Sequence, residues 1–182
     1  EFIEGHELWD ELQAEGEHAK DFTERDALDV IIQIARALEH AHSHGLIHRD
    51  VKPKNIMLTM DGSTPIAKLA DMGLARSTGD VDSAKAEAGR AYGTPYYISP
   101  EQIRGEMDID FRADIYSLGA TFYHVVTGRV PFDAETPVAV MRKHLSEPLT
   151  PPDHINTALS SGVGEVIEVM MAKDRNGRYS ST

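Results

Sequence analysis

Residues 114–126 are apolar nearly all round when they are placed on a helix. A helix at the surface of a globular protein keeps one polar face, so a helix without one belongs in the core. The chain has 182 residues, a length that is typical of one domain and is sufficient to bury a core. The stretch therefore predicts a helix that is buried inside a single domain.

Three further segments carry helix signals. Thr23 with Asp26 three residues on predicts a helix start, and Gly45 predicts its end. Between them, side chains recur at helical spacing: Leu28, Ile31, Ile32, Ala35, Leu38 and His42. Thr136 and Pro137 predict the cap and first turn of a second helix over residues 138–145. A third helix is indicated by Val163, Val166, Ile167, Met170 and Met171.

Two short apolar runs, 56–59 and 66–69, lie on either side of a turn-like Met-Asp-Gly-Ser sequence at 60–63. This arrangement predicts a β-hairpin, whose open end would bring residues 55 and 71 together. Residues 74–92 are small and polar without a sustained period, and they predict a loop.

Residues 48–55, His-Arg-Asp-Val-Lys-Pro-Lys-Asn, place a carboxylate, an ammonium and a carboxamide on one short loop. Phosphoryl transfer needs a base that orients a hydroxyl, a cation near the migrating charge and an oxygen ligand for magnesium. Asp50, Lys52 and Asn55 fit these three roles in that order. The stretch therefore predicts phosphoryl transfer.

The stretch resembles the catalytic loop of protein kinases, and its Lys52 resembles the serine/threonine branch. Four more segments match family motifs in family order: Asp71-Met72-Gly73, Gly-Thr-Pro-Tyr-Tyr-Ile-Ser-Pro-Glu at 93–101, Asp-Ile-Tyr-Ser-Leu-Gly at 114–119, and Arg178. Met72 stands where Phe is usual, and Ser99 stands where Ala is commoner. Residues 99–105 look more like bacterial serine/threonine kinases than most eukaryotic ones. The resemblance covers essentially the whole chain.

This resemblance implies a mainly α-helical fold, the C-terminal (large) lobe of a kinase, with one small β-hairpin at the catalytic loop. Residues 1–182 would form one domain, from the hinge between the lobes to the penultimate helix. The N-terminal lobe, with its Gly-rich loop and its Lys–Glu pair, has no counterpart in this sequence. Because those parts help to position the nucleotide, we expect the 182-residue piece alone to be inactive or very weak.

The implied function is phosphorylation of Ser or Thr hydroxyls on proteins, with ATP and Mg²⁺ as cofactors. Asp50 would be the base, and Lys52 would contact the transferred phosphate. Asn55 and Asp71 would bind the metal through oxygen, which hard cations prefer, and would thereby contact the nucleotide. Thr94 resembles the residue that contacts both the catalytic Asp and the catalytic Lys.

The resemblance places the remaining nucleotide contacts near the start of the chain. Backbone groups of Glu1 and Ile3 would bind the adenine edge, and Glu7 would reach the ribose. Met57 and Leu8 would form an apolar floor under adenine, although plain core is an equally good interpretation of both. Without an N-terminal lobe, these two side chains would be exposed and would favour association.

Other residues acquire structural roles from the same resemblance. His48 would pack under the catalytic loop, and Asp114 would accept hydrogen bonds from its backbone amides. Glu101 and Arg178 would form a buried ion pair that holds the activation segment. His124 stands where kinases that prefer basic substrates often have Glu, so that preference is not expected.

Composition narrows the partners. The formal net charge of -12 argues against a nucleic-acid partner, and no apolar run approaches membrane-spanning length. The absence of Cys excludes disulfides and thiolate metal sites, and it fits a reducing compartment. We expect a cytoplasmic protein, or the cytoplasmic domain of a larger one with or without a membrane anchor. The expected partners are ATP, a protein substrate and the N-terminal lobe of the same kinase.

Three alternatives stay open. The first is a pseudokinase or scaffold that binds partners without catalysis, against which the intact Asp50 and Lys52 argue. The second is a small-molecule kinase of related fold, which the complete peptide-positioning segment at 93–101 disfavours. The third is a zinc site at His40 and His44, which lie four apart on one helix face but lack an obvious third ligand.

Overall fold

The computed structural model describes residues 4–13, 23–62, 64–71, 76–77 and 95–182. Helices dominate this part of the chain, as predicted. They are α1 (Leu8–Gln13), α2 (Glu24–Ser43), α3 (Pro100–Arg104), α4 (Arg112–Thr127), α5 (Pro137–Ser146), α6 (Pro152–Ile155) and α7 (Ser161–Met170), with short 3-10 helices at Pro53–Asn55 and Arg175–Gly177. The strands are β1 (His6–Glu7), β2 (Leu46–Ile47), β3 (Ile56–Asp61), β4 (Thr64–Leu69) and β5 (Arg76–Ser77).

Helix α4 is the central element, which confirms the prediction made from its apolar sequence. Every residue from 113 to 126 is buried, and the helix packs against both α2 and α7. Gly119 permits the close approach of α7, because a Cβ at this position would lie 2.7 Å from the Cβ of Met170. The helix ends at Gly128, whose φ of 67° is readily adopted only by glycine.

Helix α2 begins and ends where the sequence predicts. Thr23 and Asp26 form a capping box at its start, and Gly45 follows its end with a φ of 71°. Its buried side chains are Ala27, Val30, Ile31, Ile34 and Leu38. Ile32 also lies on this helix, as its spacing predicts, but its side chain is 44% exposed. Successive helical residues point about 100° apart, so Ile32 falls outside the narrow buried stripe that contains Ile31.

The predicted hairpin is confirmed, but its strands are longer than predicted. Strands β3 and β4 pair antiparallel from Ile56↔Leu69 to Asp61↔Thr64. Met60 and Asp61 therefore belong to β3 rather than to the turn. Gly62, with a φ of 61°, supplies the left-handed backbone conformation that a tight connection of this kind requires.

Two very short pairings were not predicted. Strand β1 adds to the edge of β3, which gives a three-stranded sheet in the order β1-β3-β4. Strand β5 pairs with β2, although its two residues lie within the stretch that was predicted to be a loop. Two-residue strands are too short for an alternating pattern, so their sequences carry no usable signal.

The remaining helices differ from the predictions in detail. Thr136 caps α5 through its side chain as predicted, whereas α6, which begins at Pro152, was not predicted. Leu8 is completely buried in the core cluster, which also contains Ile56. The expectation that Leu8 would be exposed in the absence of an N-terminal lobe was therefore wrong. Leu8 is the first residue of α1, and this helix packs against β3 and against the 3-10 helix at Pro53–Asn55.

Candidate active site

The loop between β2 and β3 brings Asp50, Lys52 and Asn55 together. Lys52 Nζ lies 2.6 Å from Asp50 Oδ2, and Asn55 Nδ2 donates to the same oxygen over 2.9 Å. Asn55 Nδ2 also donates to the Asp50 backbone carbonyl over 2.8 Å. The carboxylate is thus fixed by two neighbouring donors, while about a quarter of its side chain remains accessible to solvent (26%).

The central helix holds this loop in place through Asp114. Its carboxylate is completely buried and accepts hydrogen bonds from the backbone N–H groups of His48 (2.8 Å) and Arg49 (2.7 Å). Gln102 Nε2 donates to the carbonyl of Arg49 over 2.8 Å. Arg49 has a φ of 68°, a backbone conformation that is uncommon for a residue with a side chain. Bonds at both of its backbone groups hold this conformation directly before Asp50.

His42 is a second partner of Asp114 that the sequence did not reveal. Its Nε2 lies 2.8 Å from Asp114 Oδ2, in a pair that is shielded from solvent. The sequence placed His42 in the apolar stripe of α2, and a polar residue in such a stripe is the only signal it offered. In the structure, the imidazole fills that position and also binds the carboxylate that orients the loop.

His48 connects the loop to the end of the hairpin. The ring is completely buried, with Nε2 3.1 Å from the Ala70 carbonyl and Nδ1 accepting the Asp50 N–H over 3.3 Å. These contacts require the tautomer in which Nε2 carries the proton. The buried ring thus packs under the catalytic loop, as expected, and Met72 lies outside the described residues.

At the open end of the hairpin, the backbone of Asn55 is paired with the residue directly before Asp71. The Ala70 N–H donates to the Asn55 carbonyl over 2.8 Å, and Asp71 follows directly with a φ of 60°. Asp71 is exposed to solvent. An amide oxygen and a carboxylate are suitable ligands for Mg²⁺, which commonly binds one or two carboxylates together with phosphates and water. The donors at this end of the hairpin therefore fit a magnesium ion.

A buried ion pair fixes the segment that ends in α3. Arg178 Nη1 and Nη2 donate to the two carboxylate oxygens of Glu101 over 2.6 and 2.9 Å. Arg178 also donates to the carbonyls of Arg112 and Ala172, each over 2.8 Å. Ser99 caps α3 with a capping box, which accounts for a hydroxyl at a position where Ala is commoner. The predicted pair is confirmed.

An aromatic cluster lies beside the loop and was not predicted. Tyr97 Oη lies 2.7 Å from His124 Nδ1, and the Trp9 indole contacts the same imidazole in an edge-type arrangement, with 6.0 Å between ring centroids. Lys54 Nζ lies 5.1 Å from the centre of the Trp9 ring. Burial lowers the pKa of His124 to about 4, so the ring is neutral at pH 7 and Nδ1 can accept a hydrogen bond from the Tyr97 hydroxyl.

The residues predicted to contact the nucleotide are only partly described. Glu7 and Met57 are directly paired across β1 and β3, so the structure brings these two together. Glu1, Ile3 and Thr94 lie outside the described residues. Leu8 lies in the core rather than on an open floor.

Comparisons with known proteins agree with this geometry. The family model described as "Protein kinase domain" matches residues 1–182. A probable serine/threonine-protein kinase of Clostridium perfringens is 39% identical over the whole chain, which covers 25% of that relative. Serine/threonine-protein kinase PknB of Mycobacterium tuberculosis is 37% identical over 181 residues, or 28% of its length. The chain thus spans about a quarter of the length of these relatives. Within the described residues, no helix combines the length and the apolar character needed to span a membrane.

Proposed function

Because this chain belongs to the protein kinase family, we propose that the protein transfers the terminal phosphoryl group of ATP to serine and threonine hydroxyls of other proteins. The names of the relatives support this substrate class. The observation that carries the proposal is the convergence of Lys52 Nζ and Asn55 Nδ2 on one oxygen of Asp50. A carboxylate fixed in this way can orient an incoming hydroxyl.

In the proposed mechanism, Asp50 is the base. Its Oδ2 is held by Lys52 and Asn55, so Oδ1 is the atom that accepts the hydrogen bond of the substrate hydroxyl. Neighbouring bonds to His48 and Arg49 fix the backbone on which this carboxylate sits. The side chain therefore needs little reorganisation when the substrate binds. Such positioning of groups in advance is the main source of catalysis in phosphoryl transfer.

Lys52 supplies the cation. One of its three N–H donors reaches Asp50, and about a third of the side chain (32%) faces solvent. The other two donors can meet oxygens of the transferred phosphoryl group. Negative charge on these oxygens is then stabilised by an ammonium that is already in place.

Asn55 and Asp71 are proposed to bind Mg²⁺. The metal, when bound, neutralises charge on the phosphates. Asn55 commits its amide nitrogen to Asp50, which leaves its Oδ1 as the atom for the metal. We assign Glu7 and Met57 to the ribose and adenine region, and Glu1, Ile3 and Thr94 to their predicted contacts. We also propose a cytoplasmic location, because the proposed phosphoryl donor is ATP.

The proposal is tested by following transfer of labelled phosphate from ATP and Mg²⁺ to a general protein substrate, with the intact protein. We expect Asp50→Asn to lower kcat by about 10²- to 10⁴-fold, the usual contribution of a positioned base. Asp61→Asn, an exposed carboxylate at the far end of the same hairpin, is the matched control and should retain activity. Activity of Asp50→Asn within threefold of the parent protein contradicts the assigned role. Because the 182-residue piece alone is expected to be inactive, the assay uses a full-length protein that includes an N-terminal lobe, and absence of transfer by that parent protein favours the scaffold alternative.

A further inference from the structure

A groove of about 1180 Å³ lies between α2 and the turn half of the β3–β4 hairpin. We call it the α2–hairpin groove. The described residues that line it fall within 4–11, 26–36 and 58–67. None of the four residues of the candidate active site is among them. Its volume exceeds the roughly 300–1,000 Å³ of a typical small-molecule site, so an extended segment fits it better than a small ligand.

The groove exposes apolar side chains. Met60 is 60% exposed and Ile32 is 44% exposed, and both line it. Leu58 and Ile66, which are half-buried, and Val30, which is buried, also line it. Clustered apolar exposure of this kind is typical of surfaces that bind another chain.

The border of the groove is acidic. Four carboxylates line it, from Glu4, Glu11, Asp26 and Asp29, against a single arginine. His6 Nε2 lies 2.7 Å from Glu11, and Asp26 is engaged in the cap of α2. Across the described ranges, neither Glu4 nor Asp29 has a cationic partner, and both are exposed. The charge therefore favours an occupant with Lys or Arg side chains.

The sheet edge that faces the groove is already satisfied. Gln33 Oε1 accepts the Ala67 N–H over 3.0 Å, and Gln33 Nε2 lies 3.5 Å from the Pro65 carbonyl. A segment that adds to β4 as a new strand would have to displace this glutamine. The occupant is consequently held by its side chains, with apolar groups against Ile32 and Met60.

We propose that the α2–hairpin groove binds an extended segment of a partner protein, in which two apolar side chains are flanked by Lys or Arg. Alternate side chains of an extended segment point to the same face, so two apolar residues separated by one position can enter the groove together. The groove holds the partner away from the candidate active site, and this binding does not require phosphoryl transfer.

The experiment selects ligands from a display library of random 12-residue peptides with the intact protein as bait. Selected peptides are then labelled with fluorescein and titrated by anisotropy. We expect selected sequences to combine two closely spaced apolar residues with at least two Lys or Arg. We expect Met60→Ser and Ile32→Ser each to weaken their binding at least fivefold, and Asp29→Asn at least threefold. Val138→Ser is the matched control, because Val138 is 61% exposed and lies on α5, outside the groove; it should bind as the parent does.

Three outcomes overturn the proposal. The first is selection of acidic peptides, or of none. The second is binding that Met60→Ser and Ile32→Ser leave unchanged, or that Val138→Ser weakens equally, since the groove is then not the site. The third is a concentration-dependent dimer in sedimentation that Met60→Ser dissociates, with no peptide selected, because the occupant is then a second copy of the chain. Phosphoryl transfer to a general protein substrate is measured in parallel and should be unchanged in all these variants, which separates this proposal from the proposed function.

Discussion

Replacement of Arg178 by Met should release the segment that contains α3. The guanidinium is completely buried and makes two hydrogen bonds to Glu101 and two more, of 2.8 Å each, to backbone carbonyls. Met has a similar length but no donors. The substitution therefore leaves a buried carboxylate and two carbonyls without their partners, and the carboxylate cannot reach solvent without opening the segment.

The structure sets the magnitude of this effect. Removal of one partner from a buried ion pair costs roughly 3–5 kcal/mol. Glu101→Gln should cost less, about 1–3 kcal/mol, because an amide oxygen can still accept one bond and the backbone carbonyls still face Arg178. If Arg178→Met lowers the free energy of opening by 3–5 kcal/mol, the open form becomes roughly 100- to 5,000-fold more populated, at about 1.4 kcal/mol per tenfold. The two substitutions therefore have unequal effects although they break the same pair.

Amide hydrogen exchange measured by mass spectrometry reports this opening directly, because the N–H groups of Ile103, Gly105 and Glu106 are bonded within the α3 segment. Arg178→Met should accelerate their exchange by about 100-fold or more. Arg104→Met is the matched control, since Arg104 forms an exposed pair with Glu106 that is worth less than about 1 kcal/mol. Exchange in Arg178→Met within threefold of the parent protein, or equal effects of Arg178→Met and Arg104→Met, would refute the reasoning.

Three further predictions concern α2 and α4. His42→Ala should lower the phosphoryl-transfer rate and destabilise the protein by about 1–3 kcal/mol, because a buried oxygen of Asp114 loses a partner; His42→Gln should recover part of both in the same assays. Gly119→Ala should lower the stability by about 1–3 kcal/mol in urea unfolding, since its methyl group would lie 2.7 Å from Met170, whereas Gly162→Ala, in open space, should not. The pKa of His124 is about 4 in the folded protein and about 6.5 when unfolded, so the unfolded state binds the extra proton and stability falls as the pH drops from 6.5 towards 4. Between pH 7 and pH 5 the parent protein should lose about 2 kcal/mol more than His124→Gln, and equal losses would contradict the assignment.

The convergence of the loop side chains was predictable from their residue types and their spacing. Asp50, Lys52 and Asn55 lie within six residues of one another, and the structure brings their side-chain atoms within hydrogen-bonding distance. The central helix was equally predictable, since a stretch without a polar face has few alternatives to burial. The pair of Glu101 and Arg178 followed only from family resemblance, because nothing local relates residues that are 77 positions apart.

The features that the sequence did not predict depend on packing between distant segments. His42 meets Asp114 across 72 positions, and its place in an apolar stripe concealed that contact. Leu8 was expected to be exposed, but it is buried because α1 packs against β3. The spacing that assigned Ile32 to α2 did not reveal that its side chain lines a groove whose other wall is the hairpin. In each case the decisive neighbour lies outside the window in which a periodic pattern can be read.

The central claim is that Asn55 and Asp71 bind one metal ion next to the carboxylate of Asp50. The most direct test is the anomalous signal of Mn²⁺, used in place of Mg²⁺, in crystals of the intact protein with a non-hydrolysable ATP analogue. The account predicts a metal peak with both Asn55 Oδ1 and an Asp71 oxygen at about 2.1 Å, the range of such ligand bonds. A metal peak held by other residues, with Asn55 and Asp71 turned away from it, would contradict the account.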